Sequence, residues 1–89
     1  MLPPFYRINN HGLRFDFFAE DSNKTRAVHN KKILILDMSM ERVSQCYYQW
    51  QMRGQHIQEA FRELPPEQRE FLLTGITPTE WDTIFDEEE

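Results

Sequence analysis

The chain is poor in most of the groups from which catalytic and cofactor sites are built. It has one cysteine, Cys46, which excludes an internal disulfide and cannot complete a thiolate metal site. Its three glycines, Gly12, Gly54 and Gly75, stand apart, so there is no glycine-rich loop to cradle a phosphate. The three histidines, His11, His29 and His56, match no zinc-ligand spacing. The aliphatic run Ile33-Leu-Ile-Leu36 is too short to cross a bilayer, and no basic segment followed by a long apolar stretch marks a secretory signal. These absences predict a non-enzymatic protein with no metal, no cofactor and no membrane span, in a cytoplasmic setting where a lone thiol stays reduced. A Cys46–histidine pair fails as a nucleophilic site because Cys46 lies within the apolar stripe of a helix, where burial silences a thiol.

What is present is aromatic surface and unevenly placed charge. Seven Phe, three Tyr and two Trp give an 89-residue chain large buried area per residue, which suits one domain with one modest core. Residues 1–36 carry six basic side chains against three acids, a net of +3. Residues 37–89 carry four arginines against twelve acids, a net of −8. This asymmetry predicts either two electrostatically opposed regions or an ordinary solubilising acidic surface.

The pattern divides the domain into a strand-rich basic half (1–36), a helical acidic half (37–85) and an acidic tail (86–89) expected to fray. Phe5-Tyr-Arg-Ile8 and Leu13-Arg-Phe-Asp-Phe-Phe18 flank Asn9-Asn-His-Gly12, a turn sequence whose Asn and Gly tolerate positive φ. Leu13, Phe15 and Phe17 share one face of the second run, as in a half-buried strand. Residues 19–32 read as polar connection, with Ala27 and Val28 the only candidates for a short pairing segment. Ile33–Leu36 reads as a third strand with both faces largely covered.

From Ser39 onward the period becomes helical. Ser39 is a candidate N-cap, and Met40, Val43, Tyr47, Trp50 and Gly54 follow 3-4 spacing with Cys46 beside them. A second helix carries Ile57, Ala60, Phe61 and Leu64 up to Pro65-Pro66, and a third opens at Pro66 and ends at Thr74-Gly75. The fourth has a capping box, with Thr77 as cap, Pro78 at the first helical position and Glu80 three residues on. Trp81, Ile84 and Phe85 then share a face, and Trp81 is the expected anchor of the fold. The predicted class is α+β: a small antiparallel sheet of about three strands, followed by about four short helices packed on one face.

Two binding surfaces emerge. The carboxylates Glu59, Glu63, Glu67, Glu70, Glu80 and Asp82 lie along the helical half, where they either solvate it or imitate a phosphate backbone toward a basic groove on a partner. The basic half offers Arg14, Lys24, Arg26, Lys31 and Lys32 among Phe5, Tyr6, Arg7, Phe15 and Phe18, a composition that can stack bases and neutralise phosphates of a single strand. A third reading is a homo-oligomeric assembly factor joined through Trp50, Trp81 and Phe85.

The segment Tyr48-Gln-Trp-Gln-Met-Arg-Gly54, then Ile57-Gln-Glu-Ala-Phe61, then Arg69-Glu-Phe-Leu-Leu-Thr-Gly-Ile-Thr-Pro-Thr-Glu-Trp-Asp-Thr-Ile-Phe85, resembles the small accessory reading frames of bacteriophages. These include frames of the tailless single-stranded DNA (microvirus-type) phages. The resemblance covers roughly residues 47–85. It implies a virus-encoded protein in a host bacterial cytoplasm. There it would inhibit or redirect a host protein or nucleoprotein complex that handles nucleic acid, as anti-CRISPR proteins and polymerase modifiers do. The expectation is therefore a binding protein acting through its acidic helices. Direct single-stranded nucleic-acid binding and self-assembly are the alternatives.

Overall fold

The structure is a computed structural model that describes the backbone of residues 2–87 and the side chains of residues 2–83. It is an α+β fold in which an antiparallel meander precedes four helices. The strands are β1 (Phe5–Ile8), β2 (Arg14–Asp21), β3 (Lys24–His29) and β4 (Lys32–Leu36), paired in the order β1-β2-β3-β4. The helices are α1 (Met40–Gln51), α2 (Ile57–Ala60), α3 (Pro66–Thr74) and α4 (Pro78–Glu87).

The sheet has one strand more than the sequence pattern predicts. The segment read as polar connection folds back on β2 as β3, pairing Phe17 with Ala27 and Ala19 with Thr25. Turn chemistry at both ends makes this possible. The Asp21 carboxylate accepts the Asn23 N–H at 2.7 Å, and Asn30 and Lys31 take φ of 50° and 69°, the two left-handed residues of a tight hairpin. β3 escapes hydropathy reading because its inward residues are small or polar: Ala27, and Thr25, whose hydroxyl is buried and donates to the Met38 carbonyl at 2.8 Å.

Register sorts the side chains into two faces. Phe15, Phe17, Ala27 and Leu36 lie on the inner face and are fully buried beneath the helices. α1 lays Met40, Val43, Cys46, Tyr47 and Trp50 against them, as its spacing predicts, and Ser39 caps it by accepting the Arg42 N–H at 3.3 Å. Edge-to-face contacts carry the packing from sheet to helices, Phe17 on Tyr47 at 6.1 Å and Phe15 on Phe71 at 5.4 Å, and continue within α1, Tyr47 on Trp50 at 5.2 Å. Trp50, expected as an oligomer contact in one reading, is spent on this core.

Three further details differ from expectation. α2 closes after Ala60, and Phe61 and Leu64 are buried from the turns that follow it. Trp81 is half-buried rather than fully buried. α4 runs on to Glu87, into the acidic tail expected to fray; Glu88, Glu89 and the side chains of Ile84 and Phe85 lie outside the described residues.

Asn9 ties the first turn to the helices. Its side-chain oxygen accepts the His11 and Leu13 N–H groups at 2.9 and 3.1 Å, while its amide donates to the carbonyls of Leu72 and Leu73 at the end of α3, at 3.0 and 3.3 Å. One buried amide thus shapes the β1–β2 turn and satisfies helix-end carbonyls that would otherwise lack donors.

Candidate functional site: the open face of the sheet

The helices cover one face of the sheet and leave the other open. Antiparallel register aligns Tyr6, Asp16, Val28 and Ile33 in one row across the four strands and Phe18, Arg26 and Ile35 in another, with Ile8 opposite Arg14. Tyr6, Ile8, Phe18 and Ile33 are 52, 56, 36 and 56% exposed, so large apolar side chains of three strands meet water on this one face. Ile33, expected under cover on both sides of its strand, is thus half in solvent, while Leu36 of the same run is buried. An alternating β2 shows which of its faces is apolar, but a continuous apolar run such as β4 reveals nothing about which side is covered.

The charges on this face neutralise one another. The Arg14 guanidinium lies 4.2 Å from the Tyr6 ring centroid and 3.1 Å from the Asp16 carboxylate. Arg26 lies 5.9 Å from the Phe18 centroid and 3.4 Å from Glu20, and Lys24 meets Asp37 at 3.8 Å. Each pair is exposed and contributes little stability. Their effect is on local potential: every basic side chain here sits beside a carboxylate.

The basic set read from sequence is therefore dispersed. Arg14, Lys24 and Arg26 belong to the open side, each paired. Lys31 sits in the β3–β4 turn, and Lys32 points toward the helices, where it bonds the Gly75 carbonyl at 3.3 Å and Glu80 at 3.1 Å. Of the aromatics grouped with them, Phe15 is core, Phe5 leans on Phe17 at 5.1 Å with Arg7 over its ring at 4.6 Å, and only Tyr6 and Phe18 face solvent.

The acidic set also divides. Glu63 is engaged by Arg42 across a polar groove of about 660 Å³ between α1 and α2, which Glu59 and four glutamines also line. Cys46 lies at the floor of that groove, and burial pushes its thiol pKa up, against the opposing influence of Arg42. Glu67, Glu70 and Asp82 stand around Trp81 in a shallow depression of about 430 Å³ between α3 and α4.

Glu80 completes the predicted capping box. Its carboxylate accepts the Thr77 N–H at 2.9 Å, and its own N–H donates to the Thr77 hydroxyl at 3.3 Å. The Thr77 backbone N–H first, and then Lys32, hold its pKa below the ordinary carboxylate value. A carboxylate depressed by folding stabilises the fold above its unfolded value, about 4.3, and loses that contribution as pH falls through the lower folded value. We expect amide protection in the first turn of α4 to fall in that acid window, and Glu80→Gln to lower it at neutral pH and remove the pH dependence. Hydrogen exchange followed by NMR checks both. An acid response unchanged in Glu80→Gln would assign it to another group.

Among the described residues no group of three histidine, cysteine, aspartate or glutamate side chains is arranged to hold a metal ion, and no helix is long and apolar enough to cross a membrane. Compared with protein-family models, curated proteins and solved structures, the chain matches none.

Proposed function

We propose that this chain is a non-enzymatic binding protein that docks a protein partner on the open face of its sheet. The observation that carries this reading is the exposure of Tyr6, Ile8, Phe18 and Ile33 on one face of the sheet, set among arginines that are already paired. Large apolar side chains exposed on one sheet face mark an interaction surface, and tyrosine, phenylalanine and arginine are residues enriched at interface cores. The paired charges favour protein over nucleic acid, because a phosphate backbone requires unneutralised cations. The setting is the one the resemblance of residues 47–85 implies: a phage accessory protein acting on a host nucleic-acid-handling complex, to inhibit or redirect it.

A second reading keeps the acidic helices as the contact surface. The grouping of Glu67, Glu70 and Asp82 around half-buried Trp81 favours it, since these three carboxylates flank an aromatic anchor.

Capture of partners from bacterial lysate, with and without nuclease, separates the readings. We expect a nuclease-resistant protein on the unmodified chain and its loss on the Tyr6→Ser, Ile8→Ser, Phe18→Ser triple variant. Each buried anchor removed should cost on the order of 2 kcal/mol, about thirtyfold in affinity. Stability should change little, because the substituted side chains are exposed. Capture that survives the triple variant but fails when Glu67, Glu70 and Asp82 are changed to Lys would move the contact to the helices. Recovery of nucleic acid, with steep salt dependence, would return it to the single-strand reading.

A further inference from the structure

β4 is an edge strand, since its only neighbour in the sheet is β3. The other edge, β1, is preceded by Pro3 and Pro4, which offer no backbone donors. β4 has no such protection: between Lys32 and Asp37 it carries no proline and no charge, and its register with β3 runs without a bulge. The two-residue turn at Asn30 and Lys31 makes His29 and Lys32 a hydrogen-bonded pair. By alternation Leu34 and Leu36 also bond inward to β3, and the backbone groups of Ile33 and Ile35 point to the free edge. No side chain or loop among the described residues hydrogen-bonds to them. The next outward donor, the Asp37 N–H, is already taken by the Gln68 side chain at 3.0 Å.

We propose that two copies of the chain pair antiparallel through β4, on a two-fold axis at Leu34, to form one continuous eight-stranded sheet. In this register Ile33 of each copy exchanges both backbone hydrogen bonds with Ile35 of the other, using the groups left free at the edge. Leu34 meets Leu34 on the helix-covered side, and the isoleucines meet on the open side. The ends match in charge as well: Lys31, which makes no ion pair among the described residues, comes opposite Asp37 at both ends of the junction. A pairing shifted by one residue either way forfeits this match. The symmetry places both helical layers on one side and joins the two open faces into one surface on the other. The inference does not depend on what that surface binds, because Lys31 and Asp37 lie outside its apolar anchors.

Sedimentation equilibrium of the full chain over a concentration series tests it. The unmodified protein should pass from monomer to dimer as concentration rises. Lys31→Asp or Asp37→Lys alone sets like charges opposite each other at both ends and should raise the dissociation constant about tenfold or more. An equimolar mixture of the two variants, in which unlike charges meet again, should recover dimerisation, with circular dichroism reporting that each variant is folded. In the unmodified chain, amide exchange at Ile33 and Ile35 should slow as protein concentration rises, a readout that needs no variant. A monomer at every concentration, a dimer indifferent to both substitutions, or exchange at these amides that ignores concentration would overturn the proposal.

Discussion

Truncating Phe15 to alanine should destabilise the domain by about 3–5 kcal/mol. Phe15 is fully buried where β2 meets α3, with its ring 4.8 Å from His29, 5.4 Å from Phe71 and 6.5 Å from Phe17. Those neighbours belong to two strands and a helix and are held by separate backbones, so they cannot collapse into the space the ring leaves. The loss thus includes a cavity term beside the lost transfer energy. A domain of this size has a total stability of about 5–15 kcal/mol, so one substitution removes a large share of it. At about 4–8 °C per kcal/mol, the melting temperature should fall by roughly 12–40 °C. Phe18→Ala is the internal comparison. Three residues along the same strand and on its opposite face, Phe18 meets solvent, and its truncation should cost less than about 1 kcal/mol. Urea denaturation of the two variants checks the pair. Comparable midpoints would mean that the assignment of faces in β2 is wrong.

Residues 15 and 18 also show how much of the fold was legible in the chain. Alternation in β2 told its buried face from its exposed one, and 3-4 spacing identified the buried stripe of α1, because both signals are local and periodic. The Ser39 cap and the Thr77–Glu80 capping box were legible for the same reason, since a cap is a contact over three residues. β3 was not, because Thr25 and Ala27 earn their burial from a pairing with β2 that hydropathy does not encode. Trp81, the anchor expected from its size, is half-buried beside Glu70 and Asp82. The open face was missed as a unit because its members come from four strands, and only register brings Tyr6, Val28 and Ile33 into one row. Sequence grouped the basic residues by proximity along the chain, while the sheet distributed them among carboxylates that could not be matched to them beforehand. The turn role of Asn9 is legible in the chain, but its bonds to Leu72 and Leu73 span more than sixty residues and have no local signature.

The second large effect is expected at Gly75, where two independent constraints meet. Gly75 follows α3 with φ of 75° and ψ of 10°, and its N–H closes the helix on the Phe71 carbonyl at 2.8 Å. A side chain in this left-handed conformation costs about 1–2 kcal/mol by itself. A Cβ here would also stand 2.6 Å from Cδ2 and 2.8 Å from Nε2 of the His29 ring. That ring cannot swing away freely, since it stacks on Phe15 and its Nδ1–H donates to the Arg14 carbonyl at 2.8 Å. Relief must come from moving the backbone after α3, whose Gly75 carbonyl accepts from Lys32 just before α4 begins. Gly75→Ala should therefore cost about 2–5 kcal/mol, the conformational and overpacking penalties together. The two parts separate experimentally. Gly75→Asn relaxes the conformational penalty but keeps the clash, and should recover only a fraction of the loss. His29→Ala in the Gly75→Ala background removes the clash and should leave the conformational penalty, so that a double-mutant cycle returns a coupling of about 1–3 kcal/mol. A coupling near zero would mean that Gly75 is required for its backbone conformation alone. A large one makes the contact between the β3 histidine and the bare glycine backbone the clamp that seats the α3–α4 junction on the sheet.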